Sequence, residues 1–461
     1  MNKINDLTHG PIARVIGRLA APLIGASFIQ MAYTMTDMLW LGRIGSSSVA
    51  AVGAAFFFIW MNTSLSYTSK IGTEILVAQS LGCKEYERAK NIANTGVMLA
   101  SVISIAYALI VFCLSDHLLH FFHLEASIED VGSDYLRWNI PGMIASFFIN
   151  TFASIYYGSG DSKLPFRLIT FGLILNMILD PLLIFGLGPF TGLSTRGAAL
   201  ATSLSQLFVM SLFVRRLYSI RSPLGKLHYY LPLKKRFVVP IVHLGLPVTF
   251  QNGLFSMISM TLASFAARFG HIGVAAQSLG SQIEAVSWMT ASGFATSLSS
   301  FVGQNFGARE YQRIRKGYKI TLGISGSIGA VAGICFICFP KIIYGAFISE
   351  PDALKAGADY LRILGYSQLL MVVEQVTAGA FNGIGKTQIP AIVSIVLNLL
   401  RIPLSLLLMN TVLALNGIWW SITISGILKG LVLVIWFYWT ALRHMNDNMC
   451  NLQPQIKKIQ E

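Results

Sequence analysis

Gly82-Cys83-Lys84-Glu85-Tyr86-Glu87-Arg88 returns later in the chain as Gly307-Ala308-Arg309-Glu310-Tyr311-Gln312-Arg313, an offset of 225 (307 − 82). The same offset carries Asp134-Tyr135-Leu136-Arg137 onto Asp359-Tyr360-Leu361-Arg362 and Gly158 to Pro165 onto Gly383 to Pro390. It also carries Val49-Ala50-Ala51 onto Val274-Ala275-Ala276, and Pro22 onto Pro247. Five landmarks in one register mark an internal duplication. Between the landmarks lie apolar runs of roughly 20 residues, each long enough to cross about 30 Å of hydrocarbon. About twelve such runs occur, six before and six after a hydrophilic stretch from Arg215 to Arg236.

The composition points the same way. Of the 461 residues 54% are hydrophobic and 12% charged, against about 25% charged in soluble domains. So few charges cannot cover a water-soluble chain of this size. The short alternating strands of an outer-membrane barrel are not the pattern seen. The expected fold is an all-α polytopic membrane protein, with twelve transmembrane helices in two pseudo-symmetric six-helix lobes. An even number of crossings per half gives both halves the same orientation, so the repeat is a parallel one. The expected organisation is a first lobe over residues 1–220, a cytoplasmic linker over 221–238, a second lobe over 239–445 and a cytoplasmic tail over 446–461. Met1 to Arg18 lacks the short apolar core and cleavage site of a signal peptide, so the first helix is expected to be retained.

The net charge of +14 is distributed by loop. Lys84, Arg88 and Lys90 fall in one inter-helix segment and Lys163 and Arg167 in another. Arg215, Arg216, Arg221, Lys226, Lys234, Lys235 and Arg236 fill the central one. Arg309, Arg313, Arg315, Lys316 and Lys319 fill a fourth, while the alternate loops, with Glu125, Glu129 and Asp130 or with Glu350 and Asp352, are acidic or neutral. The positive-inside rule then puts the basic loops and both termini in the cytoplasm of an inner-membrane protein. The charge is a topology signal, and no nucleic-acid partner is expected. Cys335 and Cys338 form a CxxC within an apolar run, but no second ligand pair accompanies them for a structural zinc.

Ionisable groups inside a span are costly and are candidates for function. Asp37 ends Tyr33-Thr34-Met35-Thr36-Asp37 in the first run, and Asp180 ends Asn176-Met177-Ile178-Leu179-Asp180 in the fifth. The i, i+4 spacing puts Asn176 and Asp180 on one helix face. Two carboxylates, an amide and a hydroxyl would suit Na⁺ or a shared proton. The repeat sharpens this: Asp37 maps onto Leu262 at 225, and Asp180 maps onto Ile402 at 222 (398 − 176, aligning Asn398 with Asn176). Acids needed only to build a six-helix lobe would be needed in both copies. Glu284 and Glu374, in the second half, are secondary candidates, with Arg401 as a possible partner. Gly82 and Gly307, at the ends of the second and eighth runs, are expected as left-handed helix caps. No Walker motif, HExxH or GxSxG occurs, so an enzyme and an organic cofactor are not expected.

These residues resemble the multidrug and toxic compound extrusion (MATE) family, over nearly the whole chain. The resemblance rests on Pro22, Gln30, Tyr33 and Asp37 followed by Leu41-Gly42-Arg43-Ile44-Gly45. It continues through Val77-Ala78-Gln79 and through Asn176 to Asp180 ahead of Gly197-Ala198-Ala199-Leu200-Ala201-Thr202. The chain is most similar to the DinF-like branch. The resemblance implies a cation site of Asp37, Asn176, Asp180 and Thr202, with Gln30, Tyr33, Tyr135 and Asn150 lining the adjacent cavity. It also implies efflux of amphipathic, often cationic, compounds by antiport with H⁺ or Na⁺, by a monomer that alternates its exposure to the two sides of the bilayer. The NorM branch carries an acidic pair in its second lobe; here Phe255 and Lys386 or Thr387 stand near those positions, so that pair is not expected. A lipid-linked oligosaccharide or lipid flippase of the same broad superfamily is the competing reading.

Overall fold

The computed structural model describes residues 5–120, 125–187, 190–219, 224, 234–348 and 350–442. The tail 446–461 and most of the stretch 221–238 lie outside the described residues. The first half contains α1 (Ile12–Ile44), α2 (Ser46–Gly82), α3 (Tyr86–His120), α4 (Ala126–Gly158), α5 (Lys163–Phe185) and α6 (Thr195–Leu217). A two-stranded antiparallel turn, β1 (Gly186–Leu187) with β2 (Phe190–Thr191), joins α5 to α6. The second half contains α7 (Lys235–Ala267), α8 (Gly270–Gly307), α9 (Tyr311–Cys338), the short α10 (Pro340–Gly345), α11 (Pro351–Gly365), α12 (Gln368–Gly383), α13 (Gln388–Leu399), α14 (Arg401–Met409) and α15 (Leu415–Phe437).

Among the described residues nine helices are long and apolar enough to cross a membrane: α1, α2, α3, α5, α6, α7, α9, the α13–α14 run and α15. Outside these nine, α8 is the repeat mate of the spanning α2, and the bounds of the α11–α12 pair, Pro351 and Gly383, are the mates of Ala126 and Gly158 in α4. The chain is a multi-pass membrane protein. The tenth run, expected as one helix, is broken at Tyr366 just after Gly365, glycine being a poor helix former. Helix packing in lipid relies on close approach at small residues. A Cβ at Gly158 would lie 2.6 Å from the Glu74 carbonyl oxygen, and one at its mate Gly383 would lie 2.7 Å from that of Ser299.

The chain divides into two compact units, one of residues 1–6 and 25–249, the other of 7–24 and 250–461. The boundaries fall two residues after Pro22 and Pro247, inside α1 and α7, where the hydrophilic centre had suggested 221–238. Proline removes a helical hydrogen bond and favours a bend. In the first unit, α7 is held to α2 by Thr249 and Thr68, whose hydroxyls lie 2.9 Å apart. In the second, the Ser297 hydroxyl donates to the Ile16 carbonyl at 3.0 Å, and the Leu7 N–H donates to Gln304 Oε1 at 3.0 Å.

One sequence expectation is corrected at the helix ends. Gly82 and Gly307 are the last helical residues, and the left-handed position falls two residues on, at Lys84 and Arg309, each with φ of 62°. The Glu85 N–H reaches back to the Ser80 carbonyl at 2.9 Å, and the Glu310 N–H to that of Asn305 at 2.8 Å. This 6→1 bond places the left-handed residue immediately before the donor. After α4 and α12 the same turn puts Gly160 (φ 79°) and Gly385 (φ 83°) at that position, with Asp161 N–H bonded to Tyr156 and Lys386 N–H to Phe381, both at 2.9 Å.

Candidate cation site in the first unit

α5 carries Asn176 and Asp180 one turn apart on its buried side, and Pro181 follows within the same helix. Lacking an N–H, Pro181 leaves the Met177 carbonyl without its helical donor. Asn176 is buried and Asp180 is fully buried. With the Asn176 amide turned to satisfy both its groups, Nδ2 donates to Asp180 Oδ2 at 2.9 Å, and Oδ1 accepts from the Thr202 backbone N–H, on α6, at 3.0 Å. From α1, the Tyr33 hydroxyl lies 3.5 Å from Thr202 Oγ1. Asp37 lies on α1 one turn beyond Tyr33, close enough to Asp180 for their charges to interact. Tyr135, buried on α4, is close enough to Asp37, Asp180 and Tyr33 to interact with them electrostatically.

Four helices thus bring Asp37, Asn176, Asp180, Thr202, Tyr33 and Tyr135 into one neighbourhood. Asp37 Oδ1 and Asp180 Oδ1 are both buried without a hydrogen-bond partner. An unmatched carboxylate oxygen away from water is costly, and a proton or a small hard cation would satisfy it. The donor set therefore fits H⁺ or Na⁺, and no group of three or more His, Cys, Asp and Glu side chains suited to a multivalent metal occurs among the described residues.

The other two expected lining residues stand apart in their contacts. Gln30 is exposed on α1, where its carbonyl accepts from the Thr34 hydroxyl at 3.0 Å. Asn150 on α4 donates to Ser66 Oγ on α2 at 3.2 Å.

In the second unit the secondary candidates are already engaged. Glu284 on α8 accepts from Gln368 Nε2 at 3.1 Å and from the Tyr360 hydroxyl at 3.3 Å. Glu374 on α12 is 3.1 Å from Lys429 Nζ and accepts from the Ser394 hydroxyl at 3.1 Å. Arg401, the partner considered from sequence, donates through Nε to Ser425 Oγ at 2.6 Å. Lys429 was missed, although a lysine in the middle of the apolar Leu415–Phe437 run is itself a signal.

A family model described as MatE matches the chain twice, over residues 22–182 and 247–407, two segments offset by 225 as the landmarks are. A probable multidrug resistance protein NorM of Thermotoga maritima is 25% identical over 438 residues, covering 92% of each chain. The probable multidrug resistance protein YoeA of Bacillus subtilis is 25% identical over 412 residues, covering 88% of this chain and 89% of its own. Among solved structures, that of MATE in complex with MaD3S superposes with a TM-score of 0.90 at 22% identity, covering 97% of this chain and all of that one. On the duplicated match, the two-unit helical fold and this coverage, the chain belongs to the MatE family, the multidrug and toxic compound extrusion transporters.

Proposed function

We propose that the chain is a multidrug efflux transporter that exports small amphipathic, often cationic, compounds by antiport with H⁺ or Na⁺. The coupling site in this reading is Asp37, Asn176, Asp180 and Thr202, with Tyr33 and Tyr135 against it and Gln30 and Asn150 lining the drug path. The observation that carries it is the pair of buried, unpartnered Oδ1 atoms of Asp37 and Asp180, with Asp180 tied by its other oxygen, through Asn176, to the backbone of α6. The names of the relatives, multidrug resistance proteins, support the class of cargo.

A ligand shifts a conformational equilibrium only by its differential affinity for the two states. Cation bound between α1, α5 and α6 favours the arrangement of the first unit that releases drug outward. Loss of the cation to the cytoplasm restores drug affinity. Drug and cation need not touch. Both termini lie in the cytoplasm in this scheme, and the monomer is the working unit.

The deciding experiment is efflux of a cationic dye from proteoliposomes under an imposed Na⁺ or pH gradient. Uphill movement driven by one of the two gradients, and lost in Asp180→Asn, is expected. Gradient-independent equilibration would refute antiport, and scrambling of labelled lipid in its place would favour the flippase reading.

A further inference from the structure

The buried charges of the two units sit at different places in the repeat. In the second unit Glu284, Glu374, Arg401 and Lys429 map onto Ile59, Ile149, Leu179 and Val209 of the first. The offsets are 225 for the two acids, 222 for Arg401 and 220 for Lys429. The last is fixed by Gly197 and Gly417 (417 − 197), each packed against the end of the preceding helix, at Leu183 and Leu408. The residues just before α6 and α15, Ser194 and Ala414, share the same unusual backbone, φ 54° and 45°. Tyr135 and Tyr360 are mates at 225, and each stands beside the carboxylate of its own unit. At the first-unit site Asp180 is met by the Asn176 amide, whereas in the second unit Glu374 is met by the Lys429 ammonium group.

We propose that Lys429 is a tethered counter-cation for Glu374, so that the second unit takes no cation from solution and the exchanged cation binds in the first unit alone. A carboxylate in a water-poor interior needs a proton, a metal ion or an ammonium group. Lys429 Nζ stands 3.1 Å from Glu374, with both side chains at least nine-tenths buried. Being on the same chain, it has an effective concentration that a free ion cannot match. The groups around the pair reinforce this: Arg401 of α14 interacts electrostatically with both Glu374 and Glu284. The Ser394 hydroxyl of α13 donates to Glu374, and Glu284 of α8 is held by Gln368 and by Tyr360 of α11. On the α9 side, the Tyr318 hydroxyl bonds Thr377, one turn along α12. Within this cluster the two acids, Glu284 and Glu374, balance the two bases, Arg401 and Lys429.

The proposal rests on the first-unit coupling site described above, and its test separates the two. Thermal midpoints of the purified full chain are followed against NaCl at constant ionic strength, and against pH, since a cation that binds the folded state raises the midpoint with its concentration. In Asp37→Asn the dependence seen in the wild type should vanish. In Asp37→Asn with Lys429→Met it should return, because Glu374 now takes its cation from solution, by roughly 1–3 °C per tenfold of ion. Adding Glu374→Gln should abolish it again. Lys429→Gln, which keeps a hydrogen-bond donor in place, serves if the methionine variant does not purify. The proposal is overturned if removal of Lys429 brings no cation dependence. It is equally overturned if Asp37→Asn alone keeps a dependence that Glu374→Gln removes. Coupled transport surviving in Asp37→Asn would defeat the first-unit site instead, while the step from Asp37→Asn to the Lys429 double variant would still read the second unit.

Discussion

Leu262 and Ile402 pack in one apolar cluster of the second unit, with Tyr360 and Trp419, at the positions that Asp37 and Asp180 hold in the first. The place that is polar and acidic in one copy is hydrocarbon in the other. Leu262→Asn should therefore cost about 1–3 kcal/mol of stability, from a buried amide without partners, yet leave ion-driven efflux dependent on the same gradient. Asp37→Asn should insert normally and lose coupling. Efflux per molecule at matched surface abundance, with and without the gradient, checks both, and equal loss of coupling in the two variants would remove the argument from asymmetry.

Linkage gives the second prediction. If cation and drug favour opposite states, saturating Na⁺ or low pH should weaken drug binding by the factor by which drug weakens cation binding, roughly 5- to 100-fold. Fluorescence titration of a cationic dye across pH and NaCl should show this antagonism in the wild type. It should fall below about twofold in Asp37→Asn and in Asp180→Asn, since each leaves a single carboxylate at the site. An undiminished antagonism in either variant would move coupling away from α1 and α5.

Topology can be tested from outside the cell. Glu125 precedes α4 in an acidic loop and Lys163 begins α5 in a basic one, and both side chains are exposed. On the positive-inside rule, a membrane-impermeant maleimide should label Glu125→Cys in intact cells, in a background lacking the natural cysteines, and should leave Lys163→Cys untouched until the membrane is permeabilised. The reverse pattern would invert the protein.

Much of the fold was legible because duplication leaves a signature that packing does not blur. The offset read from Gly82 and Gly307 is the offset of the two family matches, and it reappears in the unit boundaries inside α1 and α7. Within the site, Asn176 and Asp180 could be paired from their spacing because one helix carries both. The bond from the Thr202 backbone N–H to Asn176, and the ion pair of Lys429 with Glu374, join residues on different helices, and such pairs have no local spacing to betray them. The left-handed turn was assigned to the wrong residue for a related reason. Glycine is the usual occupant of that position, and here a lysine and an arginine hold it two residues beyond the glycines.

That turn yields a stability prediction. A side chain in the left-handed region costs about 1–2 kcal/mol, so Lys84→Gly should raise the stability of the helix end, less the entropy that glycine adds to the unfolded chain. Gly160→Ala, at the corresponding turn after α4, should lower stability by about 1 kcal/mol or more. Thermal midpoints of the purified variants test the pair, and a gain in Gly160→Ala would contradict the turn geometry.

The segment 7–24 is synthesised before all of the first unit's residues 25–249, yet it belongs with the second unit. Leu7 gives its N–H to Gln304 and its carbonyl to Asn305 Nδ2 at 3.2 Å, and the His9 carbonyl accepts from Arg313 at 2.9 Å. Nearly three hundred residues must leave the ribosome before these bonds can form. Segment 7–24 therefore waits without these partners while residues 25–303 are made, and the bonds report that the end of α8 and the start of α9 have arrived.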